Sequence, residues 1–550
     1  MASSFSLFLH KNLRHNPIPM TTLNSSFNCN NSFLARYRNN LRTTTTTKAP
    51  SLSIIACSSL PPSSSSSSLS KTLLSPDQLK VDHHHHRDHD HDHDHDEHYD
   101  LVYDEDEREL SEIWREIQGS NNWEGLLDPL NSHLRQEIIR YGEFSQASYD
   151  SFDFDPHSKY CGTCKYQGAH FFERLDMADR GYQISRYLYA TSNINLPNFF
   201  QKSKMSSVWS THANWMGYVA VSTDDSETAR LGRRDILIAW RGTVTYLEWL
   251  CDLKDILRPA EFGTDPTVKI ESGFYDLYTK KERGCKYCSF SAREQVLAEV
   301  KRLLEYYDGA EISITVTGHS LGAALALISA YDIAEVGLND VVGDGDNSSK
   351  IPVTVFSFAG PRVGNLKFKV RCEELGVKVL RIVNVHDVVP TVPGIVTNEK
   401  FQFQKYIEEA MSFPWSYAHV GVELAVDHTK SPFLKPNKDP GSAHNLEALL
   451  HLVDGYHGKG RRFRLATKRD VALVNKNCDL LRGEYGVPPN WRQDENKGMV
   501  RNSDGRWVLP ERPRLEGHPP DMAEHLKKVL TRNINEDNGS SNGAQQLGSA

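Results

Sequence analysis

Ser320 stands at the apex of Gly318-His319-Ser320-Leu321-Gly322, between a β-branched run at 312–317 and an Ala/Leu-rich stretch at 323–334. Strand, sharp turn and helix, in that order, is the setting in which a G-x-S-x-G pentapeptide becomes a nucleophile elbow. The glycines at 318 and 322 allow two backbone segments to pass where a side chain would clash. The turn lifts the hydroxyl above the sheet edge, at the positive end of the following helix. A serine displayed this way is a candidate nucleophile for acyl transfer. The plainer reading is an ordinary strand–helix turn, because Gly and Ser are common residues.

A serine hydroxyl is nearly inert until a base takes its proton, and the base needs an orienting acid. Around elbows of this kind the chain order is Ser, then Asp or Glu, then His, so both partners should follow residue 320. Asp387 is the best-placed acid. It follows the apolar run 379–383, and Val388, Val389 and Pro390 would dry its surroundings and strengthen its bond to an imidazole. Its alternative is a turn-forming Asp ahead of Pro390, and Asp427 and Asp454 are weaker rivals. Six histidines compete for the base: His386, His419, His428, His444, His451 and His457. His386 adjoins Asp387 in sequence, which sends their side chains apart. His444 sits in Gly-Ser-Ala-His-Asn-Leu just ahead of a helical stretch at 446–452, where a loop can swing an imidazole over a sheet edge. His451 lies on that stretch and reads as a packed core residue. Spacing alone leaves the base open. An oxyanion hole needs two donors: the N–H of Leu321 is one, and Arg241-Gly242-Thr243, closing an earlier strand, offers Thr243 for the other.

The elements that must position these residues follow from periodicity. Leu110, Ile113, Trp114 and Ile117 have helical spacing with Gly119 as a stop, and a second helical pattern runs over 129–149. Residues 215–222 and 235–240 read as strands, the second buried on both faces. An amphipathic helix is expected over 290–307, and buried strands over 353–358 and 379–383. Strands alternating with helices indicate an α/β layer fold with ligands at the carboxyl ends of the strands. Tyr246, Leu247, Trp249, Leu250 and Leu253 form a short apolar helical face, which could be a lid or could pack on the core.

Composition divides the chain unevenly. Residues 1–76 contain no Asp or Glu, seven Lys or Arg, and many Ser, Thr and Asn. An acid-free, hydroxyl-rich, mildly basic N-terminus reads as an organelle transit peptide. The segment Ser53-Ile-Ile-Ala-Cys57 resembles a plastid processing site, so 1–56 is assigned as the transit peptide. Residues 57–108 read as a linker carrying nine histidines interleaved with aspartates at 83–98, a solvated tract able at most to bind divalent metal loosely. Residues 516–550 are a polar tail. Without 1–76, the 63 Lys and Arg fall to 56 against 71 acids, about −15 overall. That argues against a nucleic-acid partner, which needs a basic footprint. No apolar run reaches the 18 or so residues of a membrane span, so membrane contact would be peripheral. Nine cysteines include two C-x-x-C pairs, Cys161/Cys164 and Cys285/Cys288. Ordinary thiols are the leading reading, ahead of a redox bridge or a four-cysteine zinc site.

Taken together, Arg241-Gly-Thr243, Gly318-His-Ser-Leu-Gly322, Gly360-Pro-Arg-Val-Gly-Asn365, the N-x-x-D-x-V-P run from Asn384 to Pro390, and Ala443-His-Asn-Leu-Glu447 resemble the class 3 lipases. Longer stretches resemble the plant class I phospholipase A1 group, nearest its chloroplastic gamma subgroup: Leu126-Leu-Asp-Pro129, Ile138-Ile-Arg-Tyr-Gly142, Tyr187-Leu-Tyr-Ala-Thr-Ser192, Asn214-Trp-Met-Gly-Tyr218 and Leu450-His-Leu-Val-Asp-Gly455. The resemblance implies a lipase-type α/β hydrolase over 109–515, with a mostly parallel sheet flanked by helices. It implies Ser320 as nucleophile, Asp387 as acid, His444 as base through its A-H-x-L setting, and Thr243 with Leu321 in the oxyanion hole. It implies hydrolysis of the sn-1 ester of phospholipids, with galactolipids and triacylglycerol as further substrates at a plastid membrane or plastoglobule surface, and no metal or cofactor. The rival readings are a lipid-binding scaffold with a vestigial site, a carboxylesterase for other esters, and a metal buffer built on the His/Asp tract.

Overall fold

The run Ile312-Ser-Ile-Thr-Val-Thr317 alternates aliphatic and hydroxyl side chains, and in an extended chain successive residues face opposite sides. Ile314 and Val316 enter one apolar core. Ser313, Thr315 and Thr317 face a helix on the other side: Thr317 Oγ1 donates to Tyr141 O at 3.0 Å, and Ser313 and Thr315 donate to Asp235 Oδ1 at 2.7 and 2.6 Å. A helix and a strand are thus joined by hydrogen bonds as well as by packing.

The computed structural model describes residues 108–154, 162–191, 213–243, 256–285, 287–341, 349–393, 417–436, 439–467, 469–492, 500–501, 503 and 507–508. They belong to one compact unit spanning 103–550. The transit-peptide and linker assignments, the 246–253 face, Cys161 and the 516–550 tail lie outside the described residues.

Seven strands form the main sheet in chain order: β1 Tyr182–Thr191, β2 Ala213–Ser222, β3 Arg234–Trp240, β4 Ile312–His319, β5 Val353–Phe358, β6 Lys378–Asn384 and β7 Val422–Val426. β1, β2 and β3 pair antiparallel, and β3 through β7 run parallel. The parallel strands therefore deliver their carboxyl ends to one edge. A smaller four-stranded sheet joins Leu257–Pro259, Lys269–Glu271, Gly364–Asn365 and Tyr417–Ala418.

Helices cover both faces. α1 (Leu110–Ile117), α2 (Ser132–Asp150) and, late in the chain, α8 (Leu446–Gly455) enclose one core; α3 (Asp225–Leu231) packs on α1, also placing its buried Leu231 in that core. α4 (Ser272–Thr279), α5 (Ala292–Tyr306), α6 (Leu321–Glu335) and α7 (Leu366–Glu374) enclose the other. α5 starts with a capping box in which the Ser291 side chain and Glu294 satisfy each other's backbone N–H. α6 is buried along its length to Ala334, which explains why Ala and Leu fill it with no polar face.

Two glycines set the distance between β4 and α6. A Cβ on Gly318 would lie 2.3 Å from the backbone of Gly322, and one on Gly322 would lie 2.3 Å from Trp240 O at the end of β3. These neighbours are backbone and cannot turn aside. Gly318→Ala is therefore expected to destabilise the protein by about 1–3 kcal/mol, the usual cost of overpacking, read as a lower urea midpoint. A surface change such as Glu305→Ala, at an exposed position, should leave that midpoint unmoved.

Candidate active site

Ser320, between β4 and α6, has φ 60° and ψ −125°, a backbone conformation that L residues seldom adopt and that other contacts must impose. Its N–H donates to Phe358 O at 3.0 Å, tying the turn to the end of β5. Its side chain is buried, and among the described residues Oγ has no hydrogen-bond partner. Native proteins rarely leave a buried hydroxyl unsatisfied unless it is held for another purpose.

Asp387 and His444 arrive from opposite directions. Asp387 lies just beyond β6, where Val389 N–H donates to its Oδ1 at 2.9 Å. His444 ends the one-turn helix Pro440–Ala443, capped by Asp439 (Ser442 N to Oδ2, 2.9 Å), and precedes Asn445, which caps α8 (Ala448 N to Oδ1, 3.0 Å). Caps on either side fix the backbone at the histidine. His444 Nδ1 meets Asp387 Oδ2 at 2.6 Å with both side chains buried. A carboxylate at Nδ1 holds the tautomer whose Nε2 is the proton acceptor.

His319 joins this pair to the turn. Its Nε2 donates to His444 O at 2.8 Å, and the two rings lie 4.5 Å apart. A carbonyl only accepts, so Nε2 carries the proton and Nδ1 accepts from the Tyr149 hydroxyl at 2.9 Å. Burial, then the neighbouring His444, hold the His319 pKa well below the usual imidazole range, against the opposing bond to the His444 carbonyl. His319 is thus a neutral strut. Sequence reasoning named it only as part of the motif and missed Tyr149 altogether; a histidine inside the pentapeptide was the available signal.

Thr243 follows β3 and is buried, with Oγ1 lacking a partner among the described residues. The loop is pinned by Arg241, whose N–H donates to Met216 O at 2.7 Å and whose guanidinium donates to Trp215 O and Gly242 O and lies 3.7 Å from the centre of the Phe152 ring. A Cβ on Gly242 would fall 2.5 Å from His319 O, so this loop sits directly against the serine turn. Leu321 opens α6, where the first N–H groups have no partner within the helix.

The remaining histidines go elsewhere. His386 turns from its neighbour and places Nε2 3.0 Å from Asp427 Oδ1. His428 Nδ1 faces the Asn384 carboxamide, His419 Nε2 donates to Pro390 O at 2.7 Å, and His457 lies between Arg135 and Arg464 O. His451 is buried among Phe433, Phe463 and Ser431, which holds its pKa down at about 3. Asp454 accepts from the backbone of Ala466 and Thr467. Among the described residues His444 is the histidine that reaches Asp387. Cys164, Cys285 and Cys288 are buried, and burial lifts the Cys164 thiol to about 11 and the Cys288 thiol to about 12, values at which a thiol is unreactive.

Two outcomes follow from these contacts. Tyr149→Phe leaves His319 Nδ1 buried and unpaired, at a cost of about 1–3 kcal/mol in urea unfolding. His451 is kept neutral in the fold but takes up a proton when unfolded, so its contribution is present above pH 6.5 and lost as pH falls toward its folded value. Relative to wild type, His451→Gln should gain up to about 1.4 kcal/mol per pH unit below 6.5; a stability difference that is flat between pH 7 and 5 would contradict this account of His451.

The sequence pattern of the Lipase (class 3) family matches residues 237–397, which take in the end of β3, the serine turn and Asp387. Phospholipase A1-Igamma3, chloroplastic, of Arabidopsis thaliana is 74% identical over 439 residues, covering 78% of this chain and 82% of that protein. Phospholipase A1-Igamma2, chloroplastic, of the same plant is 59% identical over 433 residues, covering 77% and 81%. Galactolipase DONGLE, chloroplastic, also from Arabidopsis thaliana, is 47% identical over 382 residues, covering 68% and 76%. With a serine elbow between the central strand and helix of a mostly parallel sheet, and identity sustained over most of the length of these relatives, the chain belongs to the class 3 lipase family of α/β hydrolases, in the plant class I phospholipase A1 group.

Proposed function

We propose that this protein is a plastid serine acyl hydrolase that releases the sn-1 fatty acid of phospholipids and also acts on galactolipids. The observation that carries the reading is the buried Asp387–His444 contact at 2.6 Å beside the strained Ser320 turn. His444 Nε2 takes the Ser320 proton as Oγ attacks the ester carbonyl. The N–H groups of Leu321 and Thr243 stabilise the oxyanion. The tetrahedral intermediate collapses, the ester C–O bond breaks, and His444 returns the proton to the departing lysolipid alcohol. Water, deprotonated by the same imidazole, then releases the fatty acid and restores the serine. Asp387 keeps the ring in the productive tautomer and stabilises its cation.

The substrate class rests on the relatives, two named phospholipases A1 and one a galactolipase. Their chloroplastic names accord with 1–56 serving as a plastid transit peptide. Among the described residues no helix is long and apolar enough to cross a membrane; the proposed enzyme meets its lipid at a membrane surface by peripheral contact.

Ser320→Ala should lower kcat by more than about 10⁴-fold with the fold intact, and Asp387→Asn by about 10⁴-fold. A fluorophosphonate should label wild type and not Ser320→Ala; acyl release surviving in that variant removes Ser320 from the role. Offering phosphatidylcholine, galactolipid and triacylglycerol in competition, with product positions read by mass spectrometry, tests the lipid class. Release confined to soluble short-chain esters would instead identify a carboxylesterase.

A further inference from the structure

Beyond the serine site, the carboxyl ends of β6 and β7 bring together two imidazoles and a carboxylate. The cause is the parallel register, in which Asn384 stands beside Val426 and Val385 N–H donates to Val426 O at 2.9 Å. Residues just past each strand end therefore project into the same space: His386 from β6, Asp427 and His428 from β7. His386, Asp427 and His428 each offer a ligand atom, all within 4.8 Å of one another. His386 Nε2 and Asp427 Oδ1 are 3.0 Å apart, and the two imidazole rings are 4.7 Å apart and steeply inclined.

We propose that His386, Asp427 and His428 form a binding site for a divalent transition metal of the zinc class. Two imidazoles and one carboxylate are a borderline donor set that suits zinc, cobalt or nickel better than calcium or magnesium. Tetrahedral zinc with bonds of about 2.0–2.1 Å needs its ligand atoms roughly 3.4 Å apart. The His386–Asp427 pair is already that close, and every separation lies within 4.8 Å. His386 and Asp427 are partly exposed, leaving the fourth position to water. Supporting contacts are in place: Asp427 Oδ1 accepts from Thr429 N–H and Oγ1 at 2.9 and 2.7 Å, and His428 Nδ1 faces the Asn384 carboxamide, which fixes its ring. On binding, a metal replaces the proton shared by His386 and Asp427.

The site is separate from the reacting atoms but adjoins their supports. His386 precedes Asp387, and Asn384 Nδ2 donates at 2.9 Å to Ala443 O, the residue before His444. A bound ion therefore ties the acid's loop to β7 and acts as a structural clasp.

The full chain, stripped with chelator, is titrated with Co²⁺ alone. The nine-histidine tract at 83–98 offers cobalt competing ligands, so the measurement is a difference against His386→Gln and Asp427→Asn, both at partly exposed positions. The expected result is one equivalent giving the intense visible bands of four-coordinate cobalt, lost in both variants, and a zinc-dependent rise in the melting temperature of wild type that each variant lacks. Identical cobalt spectra in wild type and both variants would assign all binding to the tract and overturn the proposal. Absence of four-coordinate bands in wild type would overturn it as well.

Discussion

Close approach of backbone to backbone at the end of β3 and β4 is the constraint on which the structure turns. Gly318, Gly322 and Gly242 each occupy a space that a single methyl group would overfill, and in every case the neighbour includes main chain. Three segments are thereby pressed together: the strand that carries the serine, the helix that follows it, and the loop that carries Thr243. The unusual backbone angles of Ser320 are a result of this compression. Strain at one residue persists because the hydrogen bond to Phe358 and the apolar packing of α6 over-determine its position.

The proposed base is positioned by different means. His444 makes no covalent or strand connection to the turn. It is held by a carboxylate on one side, by caps of two short helices along its backbone, and by His319 through its own carbonyl. Burial does double duty here. It strengthens the Asp387–His444 bond by excluding water, and it keeps His319 uncharged beside that pair.

Much of this was legible in the residues. The strand–turn–helix around Ser320 declared itself through glycine placement, and β3, β5, β6, α1, α5 and α8 through periodicity, with boundaries within a residue or three. Spacing could not choose among six histidines, because the choice depends on where α8 packs and not on local pattern; family resemblance singled out His444. β7 was not expected: it is five residues long, with Glu423 breaking its apolar run. The strands of the small sheet are two or three residues long and carry no period at all. Tyr149 was hidden for another reason. α2 buries Arg135, Glu137, Arg140, Ser145, Gln146 and Ser148 together with its apolar residues, so it lacks the polar face that marks a surface helix. Its charges are met inside the protein, Arg140 by Glu137, Glu227 and Tyr182.

α2 also sets a limit on where the chain can be cut. The helix is wedged between the serine strand and the helix beyond His444: a Cβ on Gly142 would lie 2.2 Å from Leu450, and the Tyr149 hydroxyl reaches His319. These contacts precede the family-matched residues 237–397 by some ninety positions. A cut within α2 would free the strand that carries Ser320 from the helix beyond His444 while leaving Ser320, Asp387 and His444 all in the chain.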